Sequence, residues 1–111
     1  MSENYTEKRA HTRVPYGAWV TVQQGSEKSF CLARDLSLGG VFLRTETIPE
    51  IGVRVDLVLV IEGQRDAITL RGEVVRHSLD EGGYGIKFNE MNDLAAAQLL
   101  DLVQEIARQR G

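Results

Sequence analysis

The sequence predicts a mainly β domain, a six-stranded antiparallel β-barrel followed by a C-terminal α-helix. Three observations support this prediction. Short runs rich in Val, Ile, Leu, Phe and Trp recur from Val14 onward, and each ends at Gly, Pro, Asn or Asp, as strands joined by turns do. Within the central runs, inward and outward residues alternate with the period of a pleated strand. Residues 94–110 contain good helix formers and neither Gly nor Pro.

The clearest strand pattern lies in the middle of the chain. A second run follows it after the polar residues around Gly63, so the two runs predict a hairpin. Four further strands are predicted at residues 18–23, 29–36, 41–45 and 83–88, and six short strands suit a closed barrel without exposed edges. The core-facing residues of the hairpin would be Val53, Val55, Leu57, Leu59 and Ile61 on one strand and Ile68, Leu70 and Val74 on the other.

The chain has 111 residues, which leaves room for one compact core. Residues 1–12 are mostly polar and predict a flexible tail, residues 13–90 the barrel, and residues 91–111 the terminal helix. Asn92 or Asp93 would cap this helix. Its apolar residues fall at helical spacing and predict packing on the barrel; they are Leu99, Leu102, Val103 and Ile106.

Composition excludes several classes of function. The net charge is −3 and the pI is near 5.4, which does not favour wholesale binding of nucleic acid or acidic lipid. One cysteine and two histidines exclude an internal disulfide and predict no metal site. The sequence lacks an apolar run of signal-peptide or membrane-spanning type, so we expect a cytoplasmic protein without membrane insertion. No nucleophile with a base, carboxylate pair or metal set occurs at recognisable spacing, so we expect no enzyme.

Two short motifs stand out against this background. The first is Arg9-Ala10-His11-Thr12-Arg13, in which two arginines lie four residues apart and Lys8 precedes them. Guanidinium groups bind phosphate oxygens and the O6/N7 edge of guanine in bidentate fashion. Read alone, the motif is weak, and the same residues are also typical of a solvated basic tail.

The second motif is Asp35-Leu36-Ser37-Leu38-Gly39-Gly40. Asp35 and Ser37 lie two apart and would project from one face of an extended segment. A carboxylate accepts hydrogen bonds from the N–H groups of guanine, a hydroxyl donates or accepts, and Gly40 lets a ligand approach the backbone. The alternative is an ordinary turn, since Asp, Ser and Gly favour turns for conformational reasons.

Together, the two motifs resemble the PilZ family, whose pattern is RxxxR followed by [D/N]xSxxG on a six-stranded split barrel. Two weaker marks agree, because residues 72–76 (Gly-Glu-Val-Val-Arg) and 83–88 (Gly-Tyr-Gly-Ile-Lys-Phe) resemble later strands of the family. The resemblance extends from about Lys8 to Phe88, and both defining motifs are intact.

The resemblance implies a receptor for cyclic di-GMP that catalyses nothing and needs no cofactor. Arg9 and Arg13 would hold phosphate and the Hoogsteen edge of a guanine, Asp35 and Ser37 would recognise the guanine, and Gly40 would allow its close approach. The tail would order over the ligand and signal to an effector protein. The basic residue Lys8 before the first arginine implies two stacked ligands per chain, since three cations would offset their charge.

The remaining candidate residues receive structural interpretations. Cys31 is predicted to be a buried thiol, and Trp19 and Phe42 to be barrel core rather than a base-stacking platform. His77 is predicted to be an exposed strand-end residue, with stacking on a guanine as the alternative, and His11 has no predicted role. Two other functions stay open: a nucleotide-independent adaptor of the same family, and a small single-strand or RNA-binding barrel, which would need a basic aromatic groove.

Overall fold

Seven β-strands and one α-helix make up the part of the chain that the computed structural model describes, residues 13–60 and 67–110. Short apolar runs form the strands, and the turns between them contain residues such as Gly25 and Gly82, which have positive φ. The strands are β1 (Val14–Pro15), β2 (Trp19–Gln24), β3 (Glu27–Leu36), β4 (Gly40–Arg44), β5 (Arg54–Leu59), β6 (Ile68–Ser78) and β7 (Gly83–Phe88), and the helix is α1 (Asp93–Arg110).

Six of these strands, β2 to β7, close into an antiparallel barrel. Their order around it is β3, β2, β5, β6, β7 and β4, and the pairing of β4 with β3 completes the circle. β3 is ten residues long and extends past the end of β2. The two-residue strand β1 pairs with this extension, Val14 opposite Leu36 and Pro15 opposite Asp35. The start of the described chain is thereby attached to the end of β3.

The barrel interior is filled by the apolar face of each strand. In β5, Val55, Leu57 and Leu59 are buried, whereas Arg54 and Asp56 are exposed, because successive side chains of a strand point to opposite faces. Other barrel strands contribute further fully buried side chains: Val20, Val41, Leu43, Ile68, Leu70, Val74 and Tyr84.

Helix α1 packs its apolar stripe against the barrel. Asn92 caps the helix, since its side-chain oxygen accepts a hydrogen bond from the Ala95 N–H at 2.7 Å. Leu99, Leu102 and Val103 are buried, and the helix contacts β6 and β1. The predicted packing of the helix on the barrel is confirmed.

All six predicted strands occur, with ends that differ from the predicted ones by a few residues. The largest difference is in β6, which continues past the predicted run to Ser78. Strand β1 was not predicted, because two residues that include Pro15 carry no periodic pattern. Cys31 is buried as predicted. The prediction for Trp19 is wrong, since this side chain is 63% exposed on the outside of the barrel. Residues 1–12 and the turn around Gly63 lie outside the described residues.

No helix among residues 13–60 and 67–110 is long and apolar enough to cross a membrane. In these same two segments, no three His, Cys, Asp or Glu side chains lie together in an arrangement that would hold a metal ion.

Candidate functional site

The two sequence motifs meet where β1 pairs with the end of β3. Arg13 directly precedes β1, and Asp35 is the next-to-last residue of β3, opposite Pro15. This pairing brings the Arg13 guanidinium to the Asp35 carboxylate, with Nη1 and Oδ1 2.7 Å apart. Residues separated by 22 positions in the sequence thus form one ion pair on the outer surface of the barrel.

A β-bulge turns Asp35 outward. Ala33 pairs with Leu43 and Asp35 with Phe42, so Arg34 is an extra residue in β3. Strict alternation from the buried Ala33 would place Arg34 outside and Asp35 inside. Because of the bulge, both residues are half-buried on the outer surface, and the buried position passes to Leu36.

Arg34 binds the second oxygen of the same carboxylate. Its Nε and Nη2 lie 2.8 and 2.7 Å from Asp35 Oδ2, while Arg13 holds Oδ1. The Arg34 Nη1 also lies 2.5 Å from Glu81 Oε1 in the turn between β6 and β7. These two carboxylates, Asp35 foremost, raise the pKa of Arg34, which therefore stays charged. The Asp35 carboxylate is thus held by two guanidinium groups.

Phe42 forms the floor of the site. It lies between the inward-pointing Val41 and Leu43, faces outward, and is nevertheless 0% exposed. The guanidinium carbons of Arg34 and Arg76 lie 4.2 and 5.1 Å from its ring centroid, within cation–π distance. Phe42 is buried as predicted, but under arginine side chains on the outside of the barrel and apart from the interior cluster.

Arg76 reaches Phe42 through a second β-bulge. Val74 pairs with Ile86 and Arg76 with Gly85, so Val75 is the extra residue of β6. Gly85 also pairs with Phe42 and leaves room for the arginine, since a Cβ atom there would lie 3.1 Å from the Arg76 Cγ. A continuous row of residues results across β3, β4, β7 and β6: Asp35, Phe42, Gly85 and Arg76.

Ser37 and Gly40 shape the turn that follows Asp35. Ser37 is 3% exposed. Its Oγ accepts hydrogen bonds from the Gly39 and Gly40 N–H groups at 3.1 and 3.2 Å, and its own N–H donates to the Gly40 carbonyl at 2.9 Å. A Cβ atom on Gly40 would come closer than 3.0 Å to the Ile86 carbonyl oxygen of β7. The Ser37 hydroxyl is thus buried and bonded within the turn, whereas the Asp35 carboxylate is bonded to arginines.

The other predicted site residues have separate positions. Lys8 and Arg9 lie outside the described residues. His77 is exposed, and its Nε2 lies 2.7 Å from the Pro49 carbonyl oxygen. Arg34, Arg76 and Glu81 belong to the site but were not predicted as site residues. The position of Arg34 beside Asp35 was the one available signal.

The fold and the site define a six-stranded β-barrel domain with an arginine-rich polar site on its outer surface. Residues 7–105 match the family model of the PilZ domain, and the chain belongs to this family. A comparison with curated protein sequences finds no match.

Solved structures with the same fold come from several bacteria. The PilZ domain of YcgR from Escherichia coli with c-di-GMP is 17% identical with a TM-score of 0.69, over 93% of this chain and 94% of that one. The Bacillus subtilis inhibitor of motility MotI/DgrA is 18% identical with a TM-score of 0.70, over 90% of this chain and 50% of that one. PlzA from Borreliella burgdorferi, in complex with c-di-GMP, is 14% identical with a TM-score of 0.64, over 90% of this chain and 45% of that one. The chain thus spans about half the length of MotI and PlzA.

Proposed function

We propose that this protein is a receptor for cyclic di-GMP that catalyses no reaction and signals to a partner protein in the control of motility, pilus function or biofilm formation. The observation that carries the proposal is the Arg13–Asp35 ion pair at 2.7 Å, which joins the two motifs of the family into one site. Two structural relatives, YcgR and PlzA, contain c-di-GMP in their structures.

The charges of the site suit a dianionic ligand with two guanines. The described part of the site contains three guanidinium groups, those of Arg13, Arg34 and Arg76, and two carboxylates, those of Asp35 and Glu81. The excess is one positive charge before Lys8 and Arg9 are counted. Arginine binds phosphate and guanine in bidentate fashion. A ligand phosphate would therefore draw Arg13 away from the Asp35 carboxylate.

Asp35 is the group that would distinguish guanine from adenine. A carboxylate accepts from the ring N–H and the exocyclic amine of guanine, and adenine offers no such pair of donors. In the free protein both oxygens already accept from arginines. Binding is therefore an exchange of partners at Asp35, and Ser37 and Gly40 contribute by holding the turn that positions this carboxylate.

The signal would begin in the N-terminal segment. Arg9 would reach the ligand if residues 1–12 ordered over the site, which would cost conformational entropy and present a new surface. Strand β1, directly after Arg13, contacts helix α1, so ordering can also act on the helix. Amide exchange of residues 1–12 should slow at saturating cyclic di-GMP, and unchanged exchange would contradict this part of the proposal.

Calorimetry with cyclic di-GMP tests the function directly, with GTP and cyclic di-AMP as nucleotide controls. Arg13→Ala should weaken binding at least about tenfold, since a hydrogen bond to a charged group contributes about 1.5–3 kcal/mol. The matched control is Arg54→Ala, which removes an exposed arginine from β5. Equal binding of cyclic di-AMP, or equal losses in the two variants, would refute the site.

A nucleotide-independent adaptor is the second candidate function. One observation favours it: the arginines and carboxylates of the site already satisfy one another in the free protein. Such an adaptor would show no heat of binding with cyclic di-GMP, while Asp35→Ala would still disturb the local structure by releasing Arg13 and Arg34. The same titration therefore separates the two candidates.

A further inference from the structure

A strip of exposed apolar side chains lies beside the proposed ligand site. Trp19 and Phe30 are 63% and 66% exposed, and the half-buried Leu32 lies directly opposite Trp19 on the neighbouring strand. Phe30 and Leu32 are two residues apart in β3 and point outward, because the intervening Cys31 is buried. We call these three residues the aromatic strip.

Positively charged residues surround the aromatic strip. In β3, Lys28 precedes Phe30 and Arg34 follows Leu32 on the outer face, and Arg44 of β4 lies opposite Leu32. Lys28 and Arg44 are exposed, and neither forms an ion pair with another residue in the described parts of the chain. The strip is thus a local cationic region on a protein whose net charge is −3.

We propose that the aromatic strip is the docking surface for an acidic amphipathic segment of a partner protein. Large aromatic side chains at the centre of a contact supply most of its binding energy, and charged residues at the rim select the partner. Here the apolar side chains of the partner would cover Trp19 and Phe30. Its carboxylates would pair with Lys28 and Arg44.

The charges around the strip argue against a second copy of this chain as the occupant. A second copy in a two-fold contact would place the same patch on both partners. Lys28 and Arg44 would then face like charges.

The strip and the ligand site are joined by Arg34. This residue ends the outward row of β3 that contains Phe30 and Leu32, and it also holds the Asp35 carboxylate. A ligand that takes over Asp35 would release Arg34 beside the docked segment. This coupling rests on the proposed function, whereas the docking itself does not.

The single tryptophan of the chain, Trp19, reports directly on the strip. The probe is a synthetic helical peptide of about 18 residues with Leu on one face and Glu on the other, long enough to form a helix on contact. Its binding should shift the Trp19 emission to shorter wavelength and saturate. Phe30→Ser should weaken the binding at least about fivefold, as expected for a central contact residue. Leu79→Ser, which removes an 85% exposed leucine from the turn after β6, is the matched control and should change nothing.

A charge exchange makes the test specific. The double variant Lys28→Glu, Arg44→Glu should no longer bind the Glu peptide. It should instead bind a second peptide in which Lys replaces every Glu. Equal binding of both peptides to the unmodified protein would overturn the proposal. The proposal would also be overturned if vesicles of phosphatidylglycerol and phosphatidylcholine shifted the Trp19 emission. A shift of the Trp19 emission that depended on protein concentration alone would overturn it too, because it would indicate contact between copies of the chain. Asp35→Ala separates the two proposals, since it should abolish binding of cyclic di-GMP, whereas the Glu peptide should still dock, at least as tightly, because Arg34 is released beside the strip.

Discussion

The variant Gly40→Ala tests whether this motif glycine allows close approach of a ligand or close pairing of two barrel strands. Gly40 begins β4 and pairs with Lys87 of β7. A Cβ atom on it would lie closer than 3.0 Å to the Ile86 carbonyl oxygen, 3.3 Å from the Ile86 carbonyl carbon and 3.5 Å from the Lys87 Cα. All three atoms belong to the backbone, so relief requires β4 and β7 to separate where the barrel closes.

The expected loss of stability is that of an overpacked core position, about 1–3 kcal/mol. A domain of this size loses about 4 °C in melting temperature per kcal/mol, which predicts a fall of about 4–12 °C for Gly40→Ala. Gly17→Ala is the matched control, because no heavy atom lies within 4 Å of its added Cβ and its φ is not positive. This variant should melt at or slightly above the temperature of the unmodified protein.

Thermal unfolding monitored by circular dichroism measures both variants. The result that would refute the reasoning is a Gly40→Ala melting curve equal to that of Gly17→Ala. If such a stable variant also lost cyclic di-GMP binding, the glycine would serve close approach of the ligand, as the sequence analysis proposed, and the barrel would tolerate the methyl group.

Three further predictions concern stoichiometry, the helix cap and alkaline stability. Lys8→Leu should reduce the calorimetric ratio from two ligands to one, because two stacked dianions need the third cation; a ratio of one in the unmodified protein would contradict it. Asn92→Ala should destabilise the protein by about 1 kcal/mol in urea denaturation through loss of the helix cap, and an unchanged midpoint would show that the Ala95 N–H finds another acceptor. Burial raises the pKa of Tyr16 and Tyr84 above the ordinary 10.0. The folded state therefore retains these protons to higher pH than the unfolded state does. The free energy of unfolding should be constant below pH 10 and should fall above it. A titration of phenolate absorbance in which every tyrosine of the folded protein ionises at its ordinary pKa would contradict this prediction.

Periodicity in the sequence was sufficient to predict the barrel. Each of the six strands buries one face in a closed sheet, so the alternation of Val55, Leu57 and Leu59 with their exposed neighbours is visible in the sequence. The helix was predictable for the same reason, since its apolar stripe repeats at helical spacing. Strand β1 has two residues and no such pattern; its pairing with β3 depends on tertiary contacts of Val14, which is buried.

The site departs from the predicted pattern because two β-bulges reverse the alternation. The extra residues are Arg34 in β3 and Val75 in β6, and nothing in their local sequence announces a change of register. One bulge exposes Asp35 and the other exposes Arg76. Strict alternation would have placed Asp35 and Arg76 inside the barrel. Asp35 was identified from its motif alone. The places of Arg34 and Arg76 in the site follow from the strand register, which the sequence does not show.

The closed barrel also limits how a ligand can be sensed. Every barrel strand is paired on both sides, and a closed sheet of tightly packed side chains resists continuous deformation. The attachments that remain adjustable are side-chain contacts on the outer surface and the two-residue strand β1. Asp35 takes part in both kinds of attachment. Its carboxylate binds Arg13, directly before β1, and it binds Arg34, beside the aromatic strip. A ligand that competed for this one carboxylate would therefore act on the residues before β1 and on the proposed docking surface through the same exchange of hydrogen bonds.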